Sequence, residues 1–145
     1  MFDINNSKDK LEILKSDFKK LRANPLDISL AEKTCSDAWH IADWLFEEQK
    51  QVDKSLTKKT FKISLFKECP EMKILHDIVN IYKHKTLSRP KAYIKETKKH
   101  TGRFSSAFSN GFDVSILEVY FSSNNKIDVD DLINIAIDYW KSKLS

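Results

Sequence analysis

The sequence predicts a mainly α-helical protein: a helical bundle with a small antiparallel β-sheet, a hairpin, inserted before the C-terminal helix. Three observations point there. Apolar residues recur at helical spacing through the first 85 residues and again at the end of the chain. Only two glycines and three prolines occur in 145 residues, so breakers are few. After Pro90 the period changes to alternation, and β-branched and aromatic residues gather.

The elements follow in order. Leu11, Leu14, Phe18 and Leu21 form one apolar stripe over residues 7 to 23, and Asn24-Pro25 ends it because the residue before proline disfavours the helical region. Residues 27 to 51 read as a helix with Asp27 as its N-cap. Its main stripe is Ala31, Cys35, Ala38, Ala42 and Leu45, widened by Trp39 and Phe46. A weaker apolar face carries Leu30, Ile41 and Trp44 beside Asp37 and His40, as expected of a helix that is central or lies in a dimer interface. QVDKSLTKKT is a polar connection, and TFKISLFK fits either a short strand or a helical turn. Pro70 and Glu71 suit the first turn of the next helix, which runs to His84 or Lys85 before Arg89-Pro90 blocks it. Tyr93, Lys95 and Thr97 alternate as in a half-exposed strand, DVSILEVYF is a stronger strand, and TGRFSSAFSNG between them is a loop. The Asn-rich SSNNK turns into a short strand at Lys126-Ile127, so residues 113 to 127 form a hairpin. Asp128 caps a last helix to about residue 143, with Leu132, Ile135, Ala136 and Tyr139 as its packing face and Ile133, Ile137 and Trp140 beside it. All of this fits one domain, residues 1 to 145.

Composition narrows the chemistry. Two glycines exclude a glycine-rich phosphate cradle, and GxSxG and HExxH are absent. Cys35 and Cys69 stand far apart with no CxxC, which argues against a zinc ribbon or a disulfide framework and for a reducing compartment. No apolar run approaches the roughly 18 residues a membrane span needs, and the start lacks the pattern of a secretory leader, so the expected location is cytoplasmic with no membrane partner. No cofactor and no resident metal are expected. The net charge of +4 hides an asymmetry: the stretch from Lys83 to Arg103 holds eight Lys or Arg residues against the single acid Glu96. Between Asp113 and Asp138, six acids face one base, Lys126. A basic stretch on an otherwise acidic chain fits a polyanion partner, RNA, through Lys85, Arg89, Lys91, Lys95, Lys98, Lys99 and Arg103. It also fits a solvated loop or an internal partner for the acidic tail.

Within HDIVNIYKHK, Asp77, Asn80 and His84 stand at i, i+3 and i+7 and so share one face, flanked by Met72, Leu75, Val79 and Tyr82 on one side and Ile74, Ile78 and Ile81 on the other. A solvated stripe is not bordered that way. An imidazole that titrates near neutrality, an orienting carboxylate and an amide or ammonium are the parts of metal-independent RNA cleavage; His84, Asn80, Lys83 and Asp77 are the candidates. The same line equally suits a buried hydrogen-bond network that fixes helix packing. In DAWHIADW, Asp37, His40 and Asp43 offer supporting groups for the line, or, with Asp77 and His84, a metal site across two helices. Carboxylate metal bundles carry Glu-x-x-His pairs, which neither helix has.

Trp39, His40, Asp43 and Trp44 on one helix, as W-H-x-x-D-W, with Asp77, Asn80, Lys83 and His84 on the next, as D-x-x-N-x-x-K-H, resemble a group of small bacterial and phage helical proteins. More distantly, the pair of helices is similar to the HEPN (higher eukaryote and prokaryote nucleotide-binding) domains. That resemblance implies a dimeric helical protein that engages RNA, as in ribonucleases of toxin–antitoxin and phage-defence systems. The HEPN motif, Arg-x4–6-His, would place arginine at positions 77 to 79, where this chain has Asp77, Ile78 and Val79. The cation would then be Lys83, Lys85 or Arg89, or come from a partner chain. A non-catalytic interaction module, such as an antitoxin-like partner, a defence-system subunit or a phage inhibitor, is the competing expectation.

Overall fold

The computed structural model describes residues 4–84, 96–100, 116–121 and 125–145. Five helices and three strands lie among them: α1 (Ser7–Ala23), α2 (Ile28–Val52), α3 (Lys58–Glu68), α4 (Met72–His84), β1 (Glu96–His100), β2 (Ile116–Phe121), β3 (Asn125–Asp128) and α5 (Val129–Leu144). The chain is therefore mainly helical, with a small antiparallel sheet before the last helix.

Helices α1, α2 and α3 start where a side chain can take up an orphan backbone N–H. Asn6 accepts from the amide of Asp9 at 2.9 Å, and Asp27 from that of Leu30 at 3.0 Å. The Ser7 amide and hydroxyl both donate to the Glu48 carboxylate, at 2.7 and 2.6 Å, so α2 helps cap α1. For TFKISLFK the structure chooses helix. Thr57 and Thr60 form a reciprocal capping box ahead of it, and the buried residues are Phe61 and Leu65, one turn apart. Ile63, which a strand would place beside them, is 57% exposed. Pro70 lies just outside α4, in the turn closed by the Met72 amide on the Cys69 carbonyl at 3.0 Å.

The two-faced α2 is central. It runs antiparallel to α1: Ser7 meets Glu48, the Lys10 ammonium lies 5.2 Å from the centre of the Trp44 ring, and Asp17 meets Lys33. Its other side packs on α3 and α4 through Trp39 and Phe46, whose rings meet Phe66, His76 and Phe61. Every residue of α4 from Ile74 to Val79 is buried, so this helix is enclosed on all sides over nearly two turns. Helix α5 closes the bundle against α1 and α2, with the buried Trp140 indole donating to the Ala38 carbonyl at 2.9 Å. The face of α5 is rotated from the sequence expectation: Leu132, Ile133, Ala136, Ile137 and Trp140 are buried, whereas Ile135 and Tyr139 are half-buried at its margin. It has to touch both the helices and the sheet, which pulls the contact toward the Ile133 and Trp140 side.

The sheet has the order β1-β2-β3, antiparallel throughout. Its register sets Lys98 and Asp128 on either side of Glu118, and Thr97 and Ile127 on either side of Val119. Val119 joins the hydrophobic core while Glu118, pointing to the opposite face, is buried as well. Asp128 occupies the N-cap position of α5 but makes no side-chain cap bond. As the last residue of β3 it faces Glu118, and burial, together with Asp131 and Glu118 nearby, pushes its carboxyl upward.

Candidate functional site

The polar line of α4 is enclosed in the bundle. Asp77 is 0% exposed, and its Oδ1 lies 2.8 Å from Nδ1 of His76, the residue before it. Asn80 donates from Nδ2 to the His76 carbonyl at 2.8 Å, one turn back along the same helix. His76 is thereby held at two points, by its ring and by its backbone. Its ring stands edge-on to Trp39, with centroids 5.2 Å apart, and to Phe66 at 6.1 Å, while Trp39 and Phe66 stack on each other at 6.0 Å.

A buried carboxylate must find donors, because an unpaired polar group in the core costs about 1–3 kcal/mol. Asp77 meets that need at an imidazole inside an aromatic frame. His76 is the functional-looking residue that the sequence reading left out. The signal was present: a histidine beside Asp77 and four residues before Asn80 places its carbonyl under the amide. Lys83 and His84 form the end of α4, where His84 is in helical phase with Asp77 and Asn80.

The other expected site residues separate. His40 and Asp43 are exposed on α2. Asp37 belongs to the side facing α1, about 200° around the helix from Trp39 and therefore away from His76. There Lys33 reaches both Asp37, at 3.0 Å, and Asp17, at 2.5 Å, with Lys20 3.9 Å from Asp17. Asp17 is buried on α1. Burial raises the Asp37 carboxyl, and its hydrogen bond with Asp17 raises it further, to about 6 despite the opposing charge of Lys33. Burial also acts on Asp17, but hydrogen bonds from Asp37 and Lys33 outweigh it and hold that carboxyl below the usual range. Below about pH 6 the proton of the pair therefore rests on Asp37, while Asp17 carries the charge. Among the described residues, no group of three or more His, Cys, Asp or Glu is placed to hold a metal ion.

Of the basic stretch, Lys98 and Lys99 stand in β1, opposite Glu118 and Leu117 in register. Lys85, Arg89, Lys91, Lys95 and Arg103 lie outside the described residues, as do Tyr93, Phe104 and the expected loop. Among the described residues no helix is long and apolar enough to cross a membrane. Compared with known protein families, with curated proteins and with solved structures, the chain matches none.

Proposed function

We propose that the chain is a HEPN-like protein that engages RNA through the stretch from Lys83 to Arg103, without using Asp77 and Asn80 to cleave it. Charge carries this reading: eight Lys or Arg residues against one acid, on a chain whose other residues sum to a negative charge. The stretch begins in the last turn of α4 and continues into β1. Each phosphate that such a surface neutralises releases condensed counterions, which makes binding strong at low salt and indifferent to sequence.

The state of the polar line supports binding over cleavage. A catalytic carboxylate or amide has to reach substrate, whereas Asp77 is fully enclosed and the Asn80 amide is engaged by its own helix. The ribonuclease reading, of a toxin or phage-defence type, therefore rests on His84 with Lys83, Lys85 or Arg89 as the cation.

The test titrates wild type, Lys95→Glu/Lys98→Glu/Lys99→Glu and His84→Ala into a mixed pool of structured RNAs in EDTA, with thermal melts on the same samples. A reversal at Lys141, an exposed lysine of α5, serves as the control. The expected result is salt-sensitive binding without cleavage, weakened about tenfold or more by the triple reversal and little by the control. Cleavage that His84→Ala abolishes at an unchanged melt would replace this reading with the ribonuclease. Equal effects of the triple reversal and the control would end it and favour a protein-interaction module.

A further inference from the structure

The lysines of this protein are not all used alike. Lys15, Lys20, Lys33, Lys126 and Lys143 each lie within 4 Å of a carboxylate. From Lys54 to Lys67 the chain carries five lysines, Lys54, Lys58, Lys59, Lys62 and Lys67, and no acid. Among the described residues none of these five makes an ion pair.

Their placement follows from how α3 packs. Helix α3 buries only Phe61 and Leu65 outright, so most of its circumference faces solvent. Lys59, Ile63 and Lys67, each four residues from the next, form an exposed line. Lys58 and Lys62 lie beside it, their ammonium groups 5.9 Å from the centre of the Phe46 ring and 6.0 Å from that of Trp39. One turn separates Lys58 from Lys62, about 6 Å along the axis, and Lys58 to Lys67 spans about 14 Å. Asp43, on the α2 rim of the shallow groove that Lys58 and Lys62 overhang, is the acid facing them.

We infer that α3 is a second RNA-contacting surface, one that binds the phosphate backbone of a single strand through Lys58, Lys59 and Lys62, with Lys67 at its end. This extends the RNA-engaging reading above to a separate part of the fold. Charge complementarity selects the occupant: point-charge ammonium groups spaced along about 14 Å suit a chain of phosphates, and the one acid of their own helix, Glu68 at its end, is taken up by Lys143 and the Tyr139 hydroxyl. The exposed Ile63 between them offers an apolar contact for a sugar or base.

The experiment measures anisotropy of a short labelled single-stranded RNA over a series of KCl concentrations. It compares wild type, Lys58→Gln/Lys59→Gln/Lys62→Gln and Lys95→Gln/Lys98→Gln/Lys99→Gln, each checked for an unchanged melt. Loss of three phosphate contacts lowers the slope of log K against log salt by about 2, at about 0.7 per contact for single strands. That decrease is expected for the α3 variant. An unchanged slope for it, with a decrease in the second variant, overturns the inference and leaves the RNA reading standing. A decrease for the α3 variant alone keeps α3 and removes the stretch from Lys83 to Arg103. No salt-dependent binding by wild type overturns both, and retention of that protein but not of the α3 variant on anionic phospholipid vesicles would then assign α3 to a lipid surface.

Discussion

Asp17 and Asp37 carry the same side chain and are tuned in opposite directions by one another. The sign of their effect on stability follows. Because Asp37 holds its proton more tightly in the folded chain than in the unfolded one, stability falls as pH rises from 3.8 to about 6. Asp17 works the other way: its lowered carboxyl contributes stability above its ordinary value and loses it as pH drops through the depressed one. Asp37→Asn supplies a permanent amide donor to Asp17 in place of the shared proton. Urea midpoints measured across that interval should therefore lose their Asp37-dependent decline in the variant, which gains on wild type as pH rises. A decline of the same size in both proteins would show that another group drives it.

At the scale of elements, α3 depends on its start. It is 11 residues long, buries two of them, and would be marginal alone, so its reciprocal threonine caps matter. Thr57→Ala removes the oxygen that accepts from the Thr60 amide at 3.1 Å and should destabilise the protein by about 1 kcal/mol. Hydrogen exchange should quicken first in the opening turn of α3, and uniform quickening over all helices would contradict a local role. Helix α4 obeys a different logic. Enclosed by α2, α3 and the rest of the bundle, it holds its polar groups by pairing them within the helix, His76 with Asp77 and Asn80 with the His76 carbonyl. Of the two readings open for this polar line, a reactive face or a buried hydrogen-bond network, the pairing of His76 with Asp77 and of Asn80 with its own helix supports the second.

For the whole molecule, the Trp140 indole is the tie between the last helix and the central one. It is 0% exposed and spans 102 residues of sequence to reach the Ala38 carbonyl. Trp140→Phe keeps much of the apolar volume and removes the indole N–H from a carbonyl that retains its bond within α2, at a cost of about 0.5–1.5 kcal/mol for the lost hydrogen bond. Equilibrium unfolding followed by circular dichroism checks this, and an unchanged midpoint would mean that α5 is held by its aliphatic contacts alone.

The sequence by itself determined four of the five described helices, the cap at Asp27 and the stripes of α1 and α2, because helical periodicity is a local property written in residues three and four apart. The bounds of α1 and α2, the antiparallel pairing of β2 with β3 and the two-sided burial of α2 were legible in this way. Burial in three dimensions is not local, and only the tertiary structure decided its consequences. It made TFKISLFK a helix by giving Phe61 and Leu65 a shared core contact, and it rotated α5 toward Ile133 and Trp140. It left His40 at the surface and set His76 against Asp77 inside an aromatic frame. A polar side chain becomes a network member or a solvent-facing group according to what packs around it, and that depends on residues far away in the chain.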